Sequence, residues 1–319
     1  MLQHCSYFLH TKSRLTAHKI THTNMSRRDV ASIHSGKSIR KQCLISPKDL
    51  HEKLKSKSDK VSVLDATWYM PAAGRNANTD FLEKHIPTAG RFDVDQICDK
   101  SSNLPHMLPT INQFERQISD LGISNEDEIV LYDVGLNYFA SARAWWMFRT
   151  MSNHQKLFLL DGGLQAWIQA GYEVEKNKTQ VKKKTFFVSQ AFRRELLKTK
   201  NEIIRNIDEG KFQLIDARPH TRFTGEEQEF RQDLRSGNIP GSMNLELREV
   251  LDGKGSFKSE QELLELFKLR GIDLNNPIAT TCGSGISACV LAFAFHLAGN
   301  PNVAVYDGSW TEYGQTTRL

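Results

Sequence analysis

Short apolar runs that end at an acidic residue or a cysteine recur along this chain, with helical patterns between them. Val61-Ser-Val-Leu-Asp65, Ile129-Val-Leu-Tyr-Asp133, Phe212-Gln-Leu-Ile-Asp216 and Pro277-Ile-Ala-Thr-Thr281 are too short for helices. They lack a polar face. Such runs predict strands of a mostly parallel sheet with helices on both faces, an α/β fold. The helical stretches carry their own punctuation. Ser46-Pro47 reads as an N-cap followed by proline at the first helical position. Ser259 and Glu262 have capping-box spacing, and the apolar residues that follow run to a stop at Gly271. Ile286 to Ala298 is almost wholly apolar before Gly299, which predicts a buried helix.

The pattern repeats. Val61–Ala66 matches Phe212–Ala217, and His85-Ile-Pro87 matches Asn238-Ile-Pro240. Ile129–Asp133 matches Ala279–Cys282, and Leu159–Gly162 matches Val305–Gly308. The offset stays near roughly 150 residues, so the chain reads as two copies of one strand–helix unit. A length of 319 residues suits two such domains. The expected organisation is a basic leader over 1–42, a first domain over 43–175, a linker over 176–185 and a second domain over 186–319. The linker assignment rests on five lysines and no acid between Lys176 and Lys184.

Charge and cysteines narrow the class. The formal net charge is +5, but residues 1–42 hold eight Lys or Arg and one acid, a net of +7, which leaves −2 for the rest. The basic balance therefore belongs to the leader, and no nucleic-acid partner is expected. No apolar run is long enough to cross a bilayer, so no membrane partner is expected either. Cys5, Cys43, Cys98, Cys282 and Cys289 form no CxxC pair, which suits a reducing, intracellular compartment. The basic, acid-poor start reads as a disordered leader or a mitochondrial transit peptide, with Met25 as an alternative initiator and the cytoplasm as the alternative location. Cys5, His18 and His22 have the spacing of the tail of a C2H2 zinc finger, but the first cysteine of that pattern is missing and no metal is expected.

The candidate chemistry lies at Cys282-Gly283-Ser284-Gly285-Ile286-Ser287, between a strand and a helix. Gly283 and Gly285 are expected to adopt positive φ, so that successive N–H groups point at the sulfur. The helix start adds partial positive charge. A thiol in such a setting is stabilised as thiolate. Cys289, inside the apolar helix, reads as core. The loop holds no cation. A cysteine phosphatase would need an arginine six residues on, where Ala288 stands. The loop thus offers neutral donors and leaves the charge of a substrate to be held elsewhere. In the first half the matching position is Asp133, which cannot carry sulfur.

Cys-Gly-Ser-Gly-Ile-Ser resembles the active-site loop of the 3-mercaptopyruvate sulfurtransferases, a branch of the rhodanese superfamily, and the resemblance extends over roughly residues 43 to 319. Ile286-Ser287 departs mildly from the usual Val-Thr. The thiosulfate-using sister enzymes carry Arg and Lys after the cysteine, and this chain does not. The resemblance implies two tandem rhodanese-like domains with only the second catalytic. It implies that Cys282 takes the sulfur of 3-mercaptopyruvate as a persulfide, releasing pyruvate, and passes it to a thiol acceptor such as thioredoxin or a small dithiol, with hydrogen sulfide as a product. It implies no cofactor. It further implies that Arg222 and Arg231, nine residues apart after a strand, bind the substrate, and that Ser284 works with His106 and Asp95 from the first domain. Taken alone, the residues also allow simpler readings: Arg222 and Arg231 paired with Glu226, Glu227 or Glu229, and His106 as a structural loop histidine. Thiosulfate:cyanide transfer and a non-catalytic rhodanese-type binding module are the alternative functions. Trp310 and its neighbours are expected to pack near the loop.

Overall fold

The computed structural model describes residues 39–56, 60–135, 137–177 and 185–316. Residues 1–38 of the expected leader, with the zinc-finger-like spacing, and most of the lysine-rich linker lie outside the described residues; residues 39–42, also assigned to the leader, are instead part of the helix Ile39–Cys43.

Two five-stranded sheets form, and every pairing in both is parallel. The first contains β1 (Leu44–Ile45), β2 (Val61–Asp65), β3 (Gly90–Arg91), β4 (Glu128–Tyr132) and β5 (Leu157–Leu160), in the order β1-β5-β4-β2-β3. The second contains β6 (Leu197–Lys198), β7 (Gln213–Asp216), β8 (Met243–Asn244), β9 (Ile278–Thr281) and β10 (Ala304–Tyr306), in the order β6-β10-β9-β7-β8. The permutation is the same, so the sequence repeat is a repeat of topology. Helices flank each sheet. Ser46 accepts from the Asp49 amide at 3.1 Å, and Ser259 and Glu262 close a capping box, as their sequence signals require.

Register fixes where chemistry can sit. Asp65 pairs with Tyr132, and Asp216 with Thr281, at the carboxyl ends of the central strands. Asp133 and Cys282 each follow one residue later. Open parallel sheets place their sites at this edge.

The helices Phe139–Ser152 and Ala288–Leu297 are buried almost all round and lie in one hydrophobic cluster that spans both halves. Trp145 meets Phe293 edge-on at 4.8 Å. The two halves therefore share a core. The chain after the linker first returns over the first half: Phe187 packs on Phe114 and Phe148, and the Ser189 amide donates to Glu115. The second sheet starts only at Leu197. Before β1, the helix Ile39–Cys43 carries Arg40, which donates to the carbonyls of Phe257 and Lys258 in the second half.

Asp133 caps the first-half loop, accepting from the amide and hydroxyl of Ser141 at 3.0 and 2.7 Å. Burial pushes its carboxyl up to about 6, against the help of those two bonds. The neutral acid therefore favours folding fully below the ordinary value of about 4, and that contribution is lost as pH rises through 6. Asp133→Asn removes the cost of the buried charge. It is expected to raise stability at pH 7.5 by on the order of 2 kcal/mol, with the gain shrinking toward pH 4. Denaturant melts at the two pH values check this; a gain independent of pH would refute the assignment.

Candidate active site

Cys282 follows β9 directly and is only 2 % exposed, while Gly283 and Ser284 beside it are half-buried. Its own amide donates to the Ser309 hydroxyl at 3.2 Å. Its carbonyl accepts from the Trp310 amide at 3.0 Å, and the Gly283 carbonyl from the Thr311 amide at 2.8 Å. The segment Ser309–Tyr313, a short helix after β10, thus straps the loop from below. Trp310 packs near the loop as its sequence position suggests. Ser309 holds φ +49 to reach the Cys282 amide, an uncommon conformation for serine.

Among the described residues, the amides of Gly283, Ser284, Gly285 and Ile286 donate to no protein acceptor. Four consecutive free N–H groups around a cysteine form an anion-receptive turn. The conformational route to it differs from the expectation. Gly285 has φ +78, but Gly283 does not have positive φ. Gly285 is required twice over, since a Cβ there would lie 2.5 Å from the Asp307 backbone oxygen. At Gly283 the Arg222 guanidinium lies 3.6 Å from where a Cβ would stand, an ordinary contact distance, so neither backbone conformation nor space demands glycine there. The helix also starts later than its apolar run, at Ala288, because the turn extends through Ile286 and Ser287. Ile286 is buried and Ser287 occupies the N-cap without a side-chain cap bond. Cys289 is fully buried, lies 3.2 Å from the Gly285 carbonyl, and has its thiol pushed up by burial. That is an inert core thiol.

The two arginines reach the same glycine by different routes. Arg222 pairs with Glu229, as the simpler reading of its acidic neighbours allows. Glu229 in turn pairs at 2.7 Å with Arg218, which also pairs with Asp216 at the end of β7 and stacks on Trp310. Phe230 covers the Arg222 guanidinium at 4.5 Å. Arg231 donates to the Thr311 hydroxyl at 3.0 Å, and that hydroxyl donates to the Gly283 carbonyl at 2.6 Å. Among the described residues Arg231 has no carboxylate partner.

From the first half, His106 Nδ1 lies 3.0 Å from Asp95 Oδ1. The contact is off the line of a well-formed hydrogen bond. The Trp68 indole donates to the other Asp95 oxygen at 3.0 Å and meets the His106 ring edge-on. The His106 ring, with help from Trp68 and Lys100, holds the Asp95 carboxyl below the usual range. His106 is buried and has φ +62. Ser284 makes no direct hydrogen bond to His106 or Asp95 among the described residues.

Arg143 joins these two groups, and sequence reasoning did not single it out. It is wholly buried in the helix Phe139–Ser152. It donates to the carbonyl of His106 and, at 3.2 Å, to that of Gly285, next to Ser284. It pairs with Asp307 at 2.7 Å and stacks on Trp146. Asp307 also accepts from the Leu108 amide at 2.8 Å. One guanidinium therefore ties the cysteine loop to the histidine loop. Its signal in the sequence is a lone cation in the apolar run Phe139–Met147. Thr311 and Trp68 were also passed over, and no local pattern marks them.

The chain is similar to proteins of known kind. The model of the rhodanese-like domain matches residues 46–170 and 199–316. The chain is 38 % identical to the 3-mercaptopyruvate sulfurtransferase of Rattus norvegicus, over 85 % of this chain and 92 % of that one. It is 40 % identical to the thiosulfate sulfurtransferase of Gallus gallus, over 79 % of this chain and 85 % of that one. The crystal structure of SseA from Escherichia coli, described as a 3-mercaptopyruvate sulfotransferase, superposes with a TM-score of 0.75 at 33 % identity, covering 84 % of this chain and 98 % of that one. The chain belongs to the rhodanese family, with two rhodanese domains in tandem. It is a sulfurtransferase. Among the described residues no helix is long and apolar enough to cross a membrane.

Proposed function

We propose that the chain transfers sulfur from 3-mercaptopyruvate through a persulfide on Cys282. One observation carries this reading. The turn around Cys282 holds no charged side chain of its own, yet Arg222 lies beside Gly283 at its edge and Arg231 is linked to the Gly283 carbonyl through the Thr311 hydroxyl. A donor with an uncharged reacting end and a carboxylate at the other fits such a division; a compact dianion such as thiosulfate does not.

In this scheme the Cys282 thiolate attacks the sulfur of the donor, whose carboxylate is held by Arg222 and Arg231. The carbon–sulfur bond breaks and its electron pair leaves as the enolate of pyruvate. The proton of the donor thiol is relayed by Ser284, His106 and Asp95 and ends on the methyl carbon of pyruvate. The persulfide anion is left against the free amides of residues 283–286. The low exposure of Cys282 keeps water from it. A thiol acceptor such as thioredoxin or a small dithiol then attacks the outer sulfur, restoring the thiolate, and the acceptor's second thiol displaces hydrogen sulfide. The basic leader suits mitochondrial import, with the cytoplasm as the alternative.

Steady-state comparison of donors tests the reading. The expected kcat/KM for 3-mercaptopyruvate exceeds that for thiosulfate by about a hundredfold or more, because a charge without a partner is rejected strongly. Equal values would show that the neutral turn does not select the donor.

A further inference from the structure

The hydroxyl of Thr311 lies between Arg231 and the cysteine loop, and its bonding has one consistent direction. A threonine hydroxyl has one proton to give. A guanidinium can only donate, so the 3.0 Å contact from Arg231 must land on a lone pair of Thr311 Oγ1. The hydroxyl proton is then directed to the Gly283 carbonyl at 2.6 Å. The Thr311 amide donates to the same carbonyl at 2.8 Å. Two bonds to one acceptor, together with the stiffness of a β-branched side chain, fix the rotamer of Thr311. Gly283 is covalently next to Cys282. The place of the Arg231 cation relative to the sulfur is therefore set by two hydrogen bonds in series.

Arg222 is held differently, by the buried carboxylate of Glu229. Arg231 has no such carboxylate among the described residues, so its charge stays available to an anionic ligand while its direction is set by a neutral group.

We propose that Thr311 is a positioning residue that sets donor selectivity, holding Arg231 at the distance from the Cys282 loop that suits a carboxylate two carbons away from the reacting sulfur. The proposal rests on the reading that Arg231 binds the donor carboxylate. Thr311→Val keeps the shape and the backbone bond but removes both hydroxyl contacts. Its KM for 3-mercaptopyruvate is expected to rise roughly tenfold, the scale of a hydrogen bond to a charged group, with kcat within about twofold. KM for thiosulfate moves less, so the preference between donors narrows. Thr311→Ser, which keeps the hydroxyl, restores the KM. Arg231→Met raises KM at least as far, and adding Thr311→Val to it changes nothing more. An Arg231→Met enzyme with raised KM beside a Thr311→Val enzyme of unchanged KM overturns the role of Thr311 and leaves that of Arg231 standing. An equal rise in the valine and serine variants also overturns it, since packing would then be responsible. An unchanged KM in Arg231→Met overturns both.

Discussion

Cys282→Ser is expected to lower kcat/KM for sulfur transfer by about four orders of magnitude or more, to the level of the uncatalysed exchange. Serine differs from cysteine by one atom, and the residue is buried and strapped through its backbone by Ser309 and Trp310, so the fold is expected to be unchanged. A hydroxyl is not ionised at neutral pH and cannot hold a second sulfur that a thiol will remove. Donor binding should survive, because Arg222 stands beside Gly283 and Arg231 is tied to it through Thr311, neither through the sulfur. The serine variant should therefore still bind 3-mercaptopyruvate in a calorimetric titration while producing no pyruvate. Cys289→Ala serves as the contrast: it lies in the fully buried helix, and its loss should lower stability without removing turnover. Pyruvate formed at the normal rate by Cys282→Ser would end the scheme.

Arg143→Met is expected to produce a large loss of stability. Arg143 is wholly buried, and its removal leaves Asp307 as a buried charge without its cation. Breaking such a pair from one side costs about 3–5 kcal/mol, a large part of the stability of an ordinary domain. The carbonyls of His106 and Gly285 lose their donor in the same step. Arg143→Met combined with Asp307→Asn should recover more than half of the loss, because asparagine is uncharged and still accepts from the Leu108 amide. Urea denaturation of the three proteins measures this. A single variant that unfolds at the wild-type urea concentration would mean that the bridge between the halves carries no load.

Most of the framework could be read in the sequence, because each part has a local signal. The apolar runs that become β2, β4, β7 and β9 lack a polar face, which is what strands covered on both sides require. Ser46 and Ser259 announce their helices through capping chemistry that acts within four residues. Cys282 was visible for the same reason: strand, glycine turn and helix are adjacent in sequence. What stayed hidden depends on contacts between distant segments. Arg143 meets Gly285 and Asp307 only once the two halves have packed. Thr311 meets Arg231 eighty positions away. The φ of Gly283 was misjudged because glycine permits positive φ without requiring it, and a sequence does not say which glycines use that freedom; Gly285 does and Gly283 does not.

In the proposed scheme sulfur resides covalently on Cys282 between donor and acceptor. Incubating the full chain with 3-mercaptopyruvate and no acceptor, then mapping peptides by mass spectrometry after blocking thiols, measures it directly. One added sulfur is expected on the peptide containing Cys282, absent in Cys282→Ser and removed by a dithiol. An added sulfur that persists in Cys282→Ser, or pyruvate release with no sulfur retained at that residue, would contradict it.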